Sequence, residues 1–283
     1  ENPTGYGRLV LDAEGLVERI VEEKDASEEE RRINLCNSGL VCADASVLFH
    51  LLSMVKNDNA KGEFYLTDIV ALGRSAGVFT HLVPCDESEA LGVNSRAELA
   101  QAEALFQQRA RRAAMEAGVT LIDPQTVYFS YDTEIAPDVV VEPNVFFGIG
   151  VKIGRGARIK AFCHFERAEI GEGAEVGPSA RLRPGAKLGP KVKIGNFVEV
   201  KNADFGAGAK ASHLSYVGDA SVGAGANLGA GTITCNYDGF DKYRTEIGEE
   251  AFIGSDTALV APVKVGARAY TAAGSVVTKD VPE

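Results

Sequence analysis

From about Val139 to its end the chain keeps returning an aliphatic residue followed by glycine, with many of the gaps six or twelve, as in Ile153-Gly154, Ile170-Gly171, Val176-Gly177, Leu188-Gly189, Ile194-Gly195, Val222-Gly223, Ile247-Gly248 and Val265-Gly266. Ile170 to Leu188, Val176 to Ile194 and Ile247 to Val265 are each eighteen residues. An apolar position recurring every six, with small residues between, predicts a parallel β-helix: each hexapeptide gives a strand and a turn, and three make a coil. The aliphatic side chain then points inward and stacks on its equivalent one coil away, about 4.8 Å along the axis. Glycine after it is expected to supply turn conformations that other residues adopt at a cost. A glycine-rich disordered segment would lack the regular aliphatics.

The 283 residues leave room for about two domains. A hydrophobic content of 45% and a charged content of 24% suit an ordinary globular chain, and most of the 31 glycines fall in the second half. With a net charge of -11 the chain has no electrostatic footprint for nucleic acid or an anionic membrane. No apolar run approaches the roughly 20 residues of a membrane span. The five cysteines (Cys36, Cys42, Cys85, Cys163, Cys235) are scattered, without C-x-x-C, which fits a reducing cytoplasm better than a disulfide framework. The sequence opens Glu-Asn-Pro, inside a motif, and reads as a fragment.

Residues 1–96 lack the six-residue period. Leu9–Leu11 and Leu16–Val21 flank the turn Asp12-Ala13-Glu14-Gly15, a hairpin signal. Glu22–Arg32 is charged and reads as a loop or exposed helix; Leu40-Val41 and Gly77–Val83 read as strands; Ala45–Leu52, capped by Ser46, and Leu66–Gly73 read as helices. Alternating strands and helices predict an α/β domain. Ser95-x-x-Glu98 is a capping box that opens an Ala-, Gln- and Arg-rich helix over 97–117, ended by Gly118, with Leu99, Ala102, Leu105 and Phe106 on one face. Such a helix suits a rigid linker between unlike domains. The solenoid then occupies 118–283. Thr232–Thr245 fits no hexapeptide, and a long insertion of this kind maps to a loop that can carry a binding surface.

Polar residues in a solenoid inform where they cluster. Arg183 and Lys201 are eighteen apart, which stacks two cations at one corner and suggests an anion, most simply phosphate. Solvated charges that happen to align are the alternative. His213, twelve residues after Lys201, has a side chain suited to removing a proton from an attacking amine, although a lone histidine is more often structural. His164, among apolar residues, reads as structural. Asn227-Leu228-Gly229-Ala230-Gly231 with Asn236-Tyr237 would let a ligand approach the backbone closely, or be a tight turn only. Asn2–Arg8 is glycine-rich without being a Walker or G-x-G-x-x-G loop, and spacing offers no mechanism for Glu22, Asn37 or Asn94.

The motifs N-P-T-G-Y-G-R (2–8), V-E-E-K-D-A (21–26), G-V-N-S-R (92–96), R-L-R-P-G-A (181–186), G-N-F-V-E-V-K (195–201), G-A-G-T-I-T-C-N-Y-D-G (229–239) and I-G-S-D-T (253–257) make the chain resemble a bacterial enzyme family. This is the bifunctional N-acetylglucosamine-1-phosphate uridyltransferase / glucosamine-1-phosphate N-acetyltransferase family. Hexapeptides alone are weakly specific; joined to a nucleotidyltransferase segment and this insertion they are highly specific. The resemblance implies a Rossmann-like α/β nucleotidyltransferase remnant, a linker helix, and a left-handed parallel β-helix that forms a homotrimer. It implies acetylation of glucosamine 1-phosphate by acetyl-CoA, then coupling to UTP with Mg²⁺ to give UDP-N-acetylglucosamine for peptidoglycan and lipopolysaccharide. Carried over, Arg183 and Lys201 bind the sugar phosphate, Tyr216 and Asn227 contact the sugar, and His213 is the general base, with Glu199 orienting the amine. Ala230, Asn236, Tyr237, Ser255 and Ala273 line the acetyl-CoA site. Gly7, Glu22 and Asn37 contact the sugar nucleotide, and Asn94 is a Mg²⁺ ligand. The family's UTP-binding loop and C-terminal tail would lie beyond the two ends, so the fragment is expected to lack uridylyl transfer and to hold acetyl-CoA less tightly.

Three rivals remain open at this stage: another hexapeptide acyltransferase, a γ-type carbonic anhydrase needing three zinc histidines, and a purely structural solenoid.

Overall fold

The computed structural model of the protein describes residues 3–283; Glu1 and Asn2, the latter opening the first glycine-rich motif, lie outside the described residues. The chain divides into two compact units that meet between Ala102 and Glu103.

In the first unit, β1 (Arg8–Leu11) and β2 (Val17–Val21) pair antiparallel around the expected turn. The Asp12 carboxylate closes that turn by accepting from the backbone N–H of Glu14 and Leu16 at 3.0 and 2.9 Å. α1 (Ala45–Leu52) forms where predicted, but its cap is Asp44, whose carboxylate accepts from Ser46 and Val47 N–H; the Ser46 hydroxyl donates to the same carboxylate. Asp serves here because the cap residue is the one that precedes the first helical turn, and Ser46 is already inside it. α2 (Asp68–Ser75) begins two residues after the expected start. Leu9, Val17, Leu51, Ile69 and Val70 form a small core. Neither Leu40-Val41 nor Gly77–Val83 becomes a strand beyond a single bridge from Val17 to Thr80. A strand needs a partner's backbone, and Leu40 and Val83 stand 75% and 83% exposed with none beside them.

α3 (Arg96–Glu116) is entered through the capping box: Ser95 Oγ accepts from Glu98 N–H at 3.2 Å, and Glu98 accepts from Asn94 N–H at 2.6 Å. The face it buries is not the apolar one expected. Within the second unit Gln107, Arg111 and Ala114 are buried. Gln107 donates to the Phe129 carbonyl at 2.7 Å and accepts from Phe129 N–H at 2.9 Å, and Arg111 donates to the Val127 carbonyl at 2.8 Å. These side chains pair the outermost strand edge, whose backbone groups would otherwise be open to another chain.

The rest is a parallel β-solenoid. One face stacks Val127–Tyr128, Val145–Phe147, His164–Phe165, Arg181–Leu182, Glu199–Phe205, Tyr216–Val222, Ile233–Cys235, Ala258–Val260 and Val276–Val277 in register. Phe147, Phe165, Leu182, Val200, Val217 and Leu259 point inward and are fully buried. Each such side chain contributes about 1.5–3 kcal/mol by burial. The coil length is not constant. Phe146 to His164 is eighteen residues, but His164 to Arg181 and Glu199 to Tyr216 are seventeen. Dropping a residue at a corner leaves the inward column undisturbed.

The repeated glycines have a different cause from the one expected. Those following Ile170, Val222 and Ile247 do not have the positive φ of a turn residue; a Cβ on Gly171 would lie 2.6 Å from the Gly189 carbonyl carbon, and one on Gly223 2.5 Å from that of Gly248. Glycine is needed because successive coils run backbone against backbone there. Gly177, with a φ of 102°, is the repeat glycine that fits the turn expectation; other left-handed positions are shared between glycines such as Gly156, Gly173 and Gly208 and residues such as Asn202, Leu214 and Asp219. The break at 232–245 is also narrower than it looked. Ile233–Cys235 and Thr245–Ile247 stay in the coil and pair on both sides, and only 236–244 leave it.

Candidate functional site

The polar residues gather along the two edges of one stretch of that face. Arg183 follows the strand Arg181–Leu182, and its N–H bonds the Val200 carbonyl, which brings it beside Lys201 as the spacing predicted. Lys201 pairs in register with Gly218, so Asp219 stands over Asn202 at the same corner. The chain reaches Asn236 on this edge one coil later, at the end of Ile233–Cys235.

These side chains are tied together. Arg183 donates to Glu199 at 2.9 Å, and Arg181 lies 3.9 Å from the same carboxylate. The hydrogen bond that Arg183 donates to Glu199 holds its guanidinium above its ordinary pKa. Lys201 Nζ lies 3.2 Å from Asp219 Oδ2, Asn202 donates to Asp219 Oδ1 at 2.7 Å, and Asn236 donates to Oδ2. Burial pushes the Asp219 carboxyl up, but the hydrogen bonds from Asn202, Asn236 and Lys201 outweigh it and the net shift is downward. Both cations of the expected phosphate site therefore carry a carboxylate partner. Each keeps donors to spare, since an ammonium has three and a guanidinium five.

The opposite edge holds His213. It ends the strand Lys210–His213, paired in register with Asn196, and its Nδ1 is 2.7 Å from Asn196 Oδ1. An amide oxygen can only accept, so Nδ1 donates to Asn196, and in the neutral ring Nε2 is the nitrogen that carries the lone pair. Continuing along this edge, the Asp256 N–H bonds the Ala230 carbonyl at 2.7 Å and the Gly274 N–H bonds the Ser255 carbonyl at 2.7 Å. Ala230, Ser255 and Ala273 thus succeed one another in a row of small residues. A Cβ on Gly254 would come within 2.5 Å of the Ala273 nitrogen, so this edge is built on close backbone approach.

Glu199 and Tyr216 lie between the edges, in register with each other. The Tyr216 ring covers Gly218, where a Cβ would lie 2.6 Å from Cζ. At about 3.3 Å per residue the two edges are roughly 10 Å apart. Asn227 is not brought into this group. It pairs with Lys210 on the adjoining face, around the corner from Lys201 and Tyr216. Tyr237 is 58% exposed on the loop, where its hydroxyl donates to the Gly239 carbonyl at 2.6 Å. His164 is exposed and stacks on Phe146 with 4.8 Å between ring centroids, so it is a surface residue.

Asn196 and Asp219 are the two residues that the sequence did not single out. Asn196 is seventeen residues from His213, and a search confined to eighteen passes over it. Asp219 is eighteen residues from Lys201, so spacing reached it, but an aspartate beside glycine reads as a turn residue.

In the first unit Gly7, Glu22 and Asn37 come together. The Asn37 N–H bonds the Gly7 carbonyl at 2.8 Å, and a Cβ on Gly7 would meet Ile20 at 3.1 Å and Glu22 at 3.5 Å. Glu22 accepts from the Thr67 hydroxyl at 3.0 Å. Glu22 and Asn37 line a cleft of about 200 Å³ with Tyr65 and Thr67. Asn94 is not among its lining residues and sits at the start of α3. Among the described residues no group of three His, Cys, Asp or Glu is placed to hold a metal, and no helix is long and apolar enough to cross a membrane.

The family model for the hexapeptide repeat of succinyl-transferase matches residues 244–279. Along its whole length the chain is similar to proteins named bifunctional protein GlmU. That of Jannaschia sp. (strain CCS1) is 58% identical over 282 residues, covering 100% of this chain and 62% of the relative. Those of Paramagnetospirillum magneticum (strain ATCC 700264 / AMB-1) and Cereibacter sphaeroides (strain ATCC 17025 / ATH 2.4.3) are 59% and 61% identical over 281 residues, each covering 99% of this chain and 62% of the relative. The chain thus spans about 62% of the length of these curated relatives. The resemblance read from the motifs is borne out over the full chain.

Proposed function

We propose that the solenoid N-acetylates glucosamine 1-phosphate with acetyl-CoA. The observation that carries this reading is one face with cations along one edge and an oriented imidazole along the other, roughly 10 Å away. Arg183 and Lys201 take the phosphate, and the sugar lies across Tyr216 toward His213. Nε2 of His213 removes a proton from the ammonium group. The freed amine attacks the thioester carbonyl, the C–S bond breaks, and the leaving thiolate takes up a proton, giving an amide and CoA. A positioned base is worth about 10²–10⁴-fold. Fixing the phosphate holds the amine beside the thioester, so orientation supplies much of the remainder. Ala230, Ser255 and Ala273 offer a small-residue row on His213's edge for the cofactor, with Asn236 and Tyr237 reaching in from the loop. Asn227, around the corner, serves a site shared with a neighbouring copy, as a homotrimer would provide.

For the first unit we carry the sugar-nucleotide role of Gly7, Glu22 and Asn37 in the cleft they line. Asn94 offers a single amide oxygen to Mg²⁺, which when bound would neutralise phosphate charge. UTP, UDP-N-acetylglucosamine and a cytoplasmic setting belong to the same reading, as does the division into 1–96, 97–117 and 118–283.

A thiol-release assay with acetyl-CoA and glucosamine 1-phosphate tests the solenoid's activity. We expect turnover by the chain and, for His213→Ala, a loss of about 10²–10⁴-fold with an unchanged far-UV circular dichroism spectrum. A variant that kept most of its rate would overturn the assignment of the base.

A further inference from the structure

The geometry points to Asp219 as a positioning residue that locks the phosphate-binding edge to the 236–244 loop, so that the two substrate sites are set together. The inference rests on the acetyltransferase reading above. Asp219 is only 9% exposed, at a corner of the solenoid, and is the one buried carboxylate among the described residues. Its two oxygens meet three side chains from the two neighbouring coils. Oδ1 accepts from Asn202 at 2.7 Å, Oδ2 takes Lys201 Nζ at 3.2 Å, and Asn236 Nδ2 donates to Oδ2 as well. Asn202 and Lys201 come from the coil before, and Asn236 is the first residue of the loop that leaves the coil after.

A turn role alone does not account for this arrangement. Asp219 has a φ of 48°, but Leu214 and Phe197 hold φ of 50° and 54° at corners of the same face without any such network. A side chain serving the turn would bond its own neighbouring backbone. This one reaches along the axis, and each partner is a residue with a proposed ligand role or its neighbour: Lys201 for phosphate, Asn236 for acetyl-CoA. Asn236 also anchors the far side of the loop, its carbonyl accepting from Tyr243 N–H at 2.9 Å. A carboxylate that bonds Lys201 and Asn236 at once gathers the lysine at the phosphate corner and keeps the loop against the face. Asparagine at 219 would preserve size but lose the charge opposite Lys201, and its N–H₂ must face either Asn202 or the pair Lys201 and Asn236, so the three contacts could not all be kept.

Asp219→Asn is therefore measured in the same thiol-release assay, with both substrates varied. Loss of charge-assisted bonds at each partner is expected to raise KM for glucosamine 1-phosphate and for acetyl-CoA by about 10-fold each, with kcat within about 3-fold. Limited trypsin digestion followed by mass spectrometry reads the loop without activity: cleavage after Lys242 is expected to quicken about 10-fold as the loop opens. Asn236→Ala should quicken it likewise, and adding Asp219→Asn to it should have little further effect on cleavage. Asp219→Ala repeats both measurements without the added N–H₂. The inference is overturned if both Asp219 variants leave the two KM values and the Lys242 cleavage at wild-type levels. It is also overturned if they lower kcat and thermal midpoint together with KM unchanged, the mark of a purely structural corner. An inactive wild-type chain would sink the acetyltransferase reading instead, while the cleavage series would still decide whether Asp219 holds the loop.

Discussion

The two edges of the functional face are built by opposite means. Along one, Arg183, Lys201, Asp219 and Asn236 are long or charged side chains joined to one another or to Glu199 by hydrogen bonds that leave donors free. Along the other, His213 is held by Asn196 beside residues so small that coils meet backbone to backbone. The charged edge can adjust, because flexible side chains re-form their contacts at modest cost. The close-packed edge cannot, because nothing movable separates its coils. Placing the imidazole on the rigid edge and the phosphate cations on the adjustable one suits their tasks. A base must be aimed to within a fraction of an ångström, whereas an anion is held by several donors at once.

The sharpest way to break this contrast is a single methyl on the rigid edge. A Cβ at Gly195 would fall on the Ser212 carbonyl, 2.5 Å from its carbon. Gly195→Ala must push apart the coils that carry Asn196 and His213. We expect a loss of about 3 kcal/mol in stability, a fall of roughly 6–12 °C in Tm by calorimetry, and a collapse of acetyl transfer. If the variant melted like wild type, the rigid edge would have more give than its spacing suggests.

On the charged edge the corresponding loss should be one of affinity. Lys201→Ala and Arg183→Ala each remove charge-assisted hydrogen bonds to phosphate, worth about 1.5–3 kcal/mol. KM for glucosamine 1-phosphate should rise about 10–100-fold, with the melting temperature little changed and the effect weaker at high salt. Steady-state kinetics at two ionic strengths checks this. Equal losses in kcat and stability would mean that the ion pairs hold the coil together rather than the substrate.

A milder change on the rigid edge separates aiming from packing. Asn196→Ala deletes one neutral hydrogen bond to His213, so kcat should fall about 3–10-fold with KM nearly unchanged. Asn196→Asp, which keeps an acceptor for Nδ1–H, should recover most of that loss.

How much of this was legible in the sequence follows the same division. The inward column announces itself, since Ile, Val and Leu recurring at fixed spacing have no other use, and Arg183 over Lys201 could be read because eighteen residues is one coil. His213 carried the right chemistry without a visible partner: Asn196 is seventeen residues away, and the dropped residue hides the pairing. Asp219, eighteen residues after Lys201, stood at the visible spacing and was passed over because an aspartate in a glycine-rich corner looks like a turn residue. Glycine was placed correctly but, Gly177 apart, explained wrongly, since six-residue spacing cannot distinguish a turn that needs a positive φ from a coil that needs to come close. In the first unit the hairpin and α1 were read from local signals, whereas Leu40-Val41 looked like a strand from composition alone. Strands depend on partners that no local window contains. The helix α3 misled in another way, burying Gln107 and Arg111 because the end of a sheet needs hydrogen bonds more than it needs leucine.

The smallest expected effect is the one that compares the edges most directly, through acid. The Asp219 carboxyl is held below its ordinary value of 3.8 in the folded chain, so the folded state binds that proton later than the unfolded chain as the pH falls. Stability from this group is fully present above about pH 4 and is lost as the pH drops through the folded value. The gap in Tm between wild type and Asp219→Asn should therefore be constant near neutrality and narrow below about pH 4. For Asn196→Ala, whose partner His213 stands outside any carboxylate network, the gap should stay flat over the same window. Calorimetry between pH 3 and 6 on the three proteins is sufficient. Parallel narrowing in both variants would show that acid loosens the whole solenoid, and that the two edges differ in chemistry but not in how they are held.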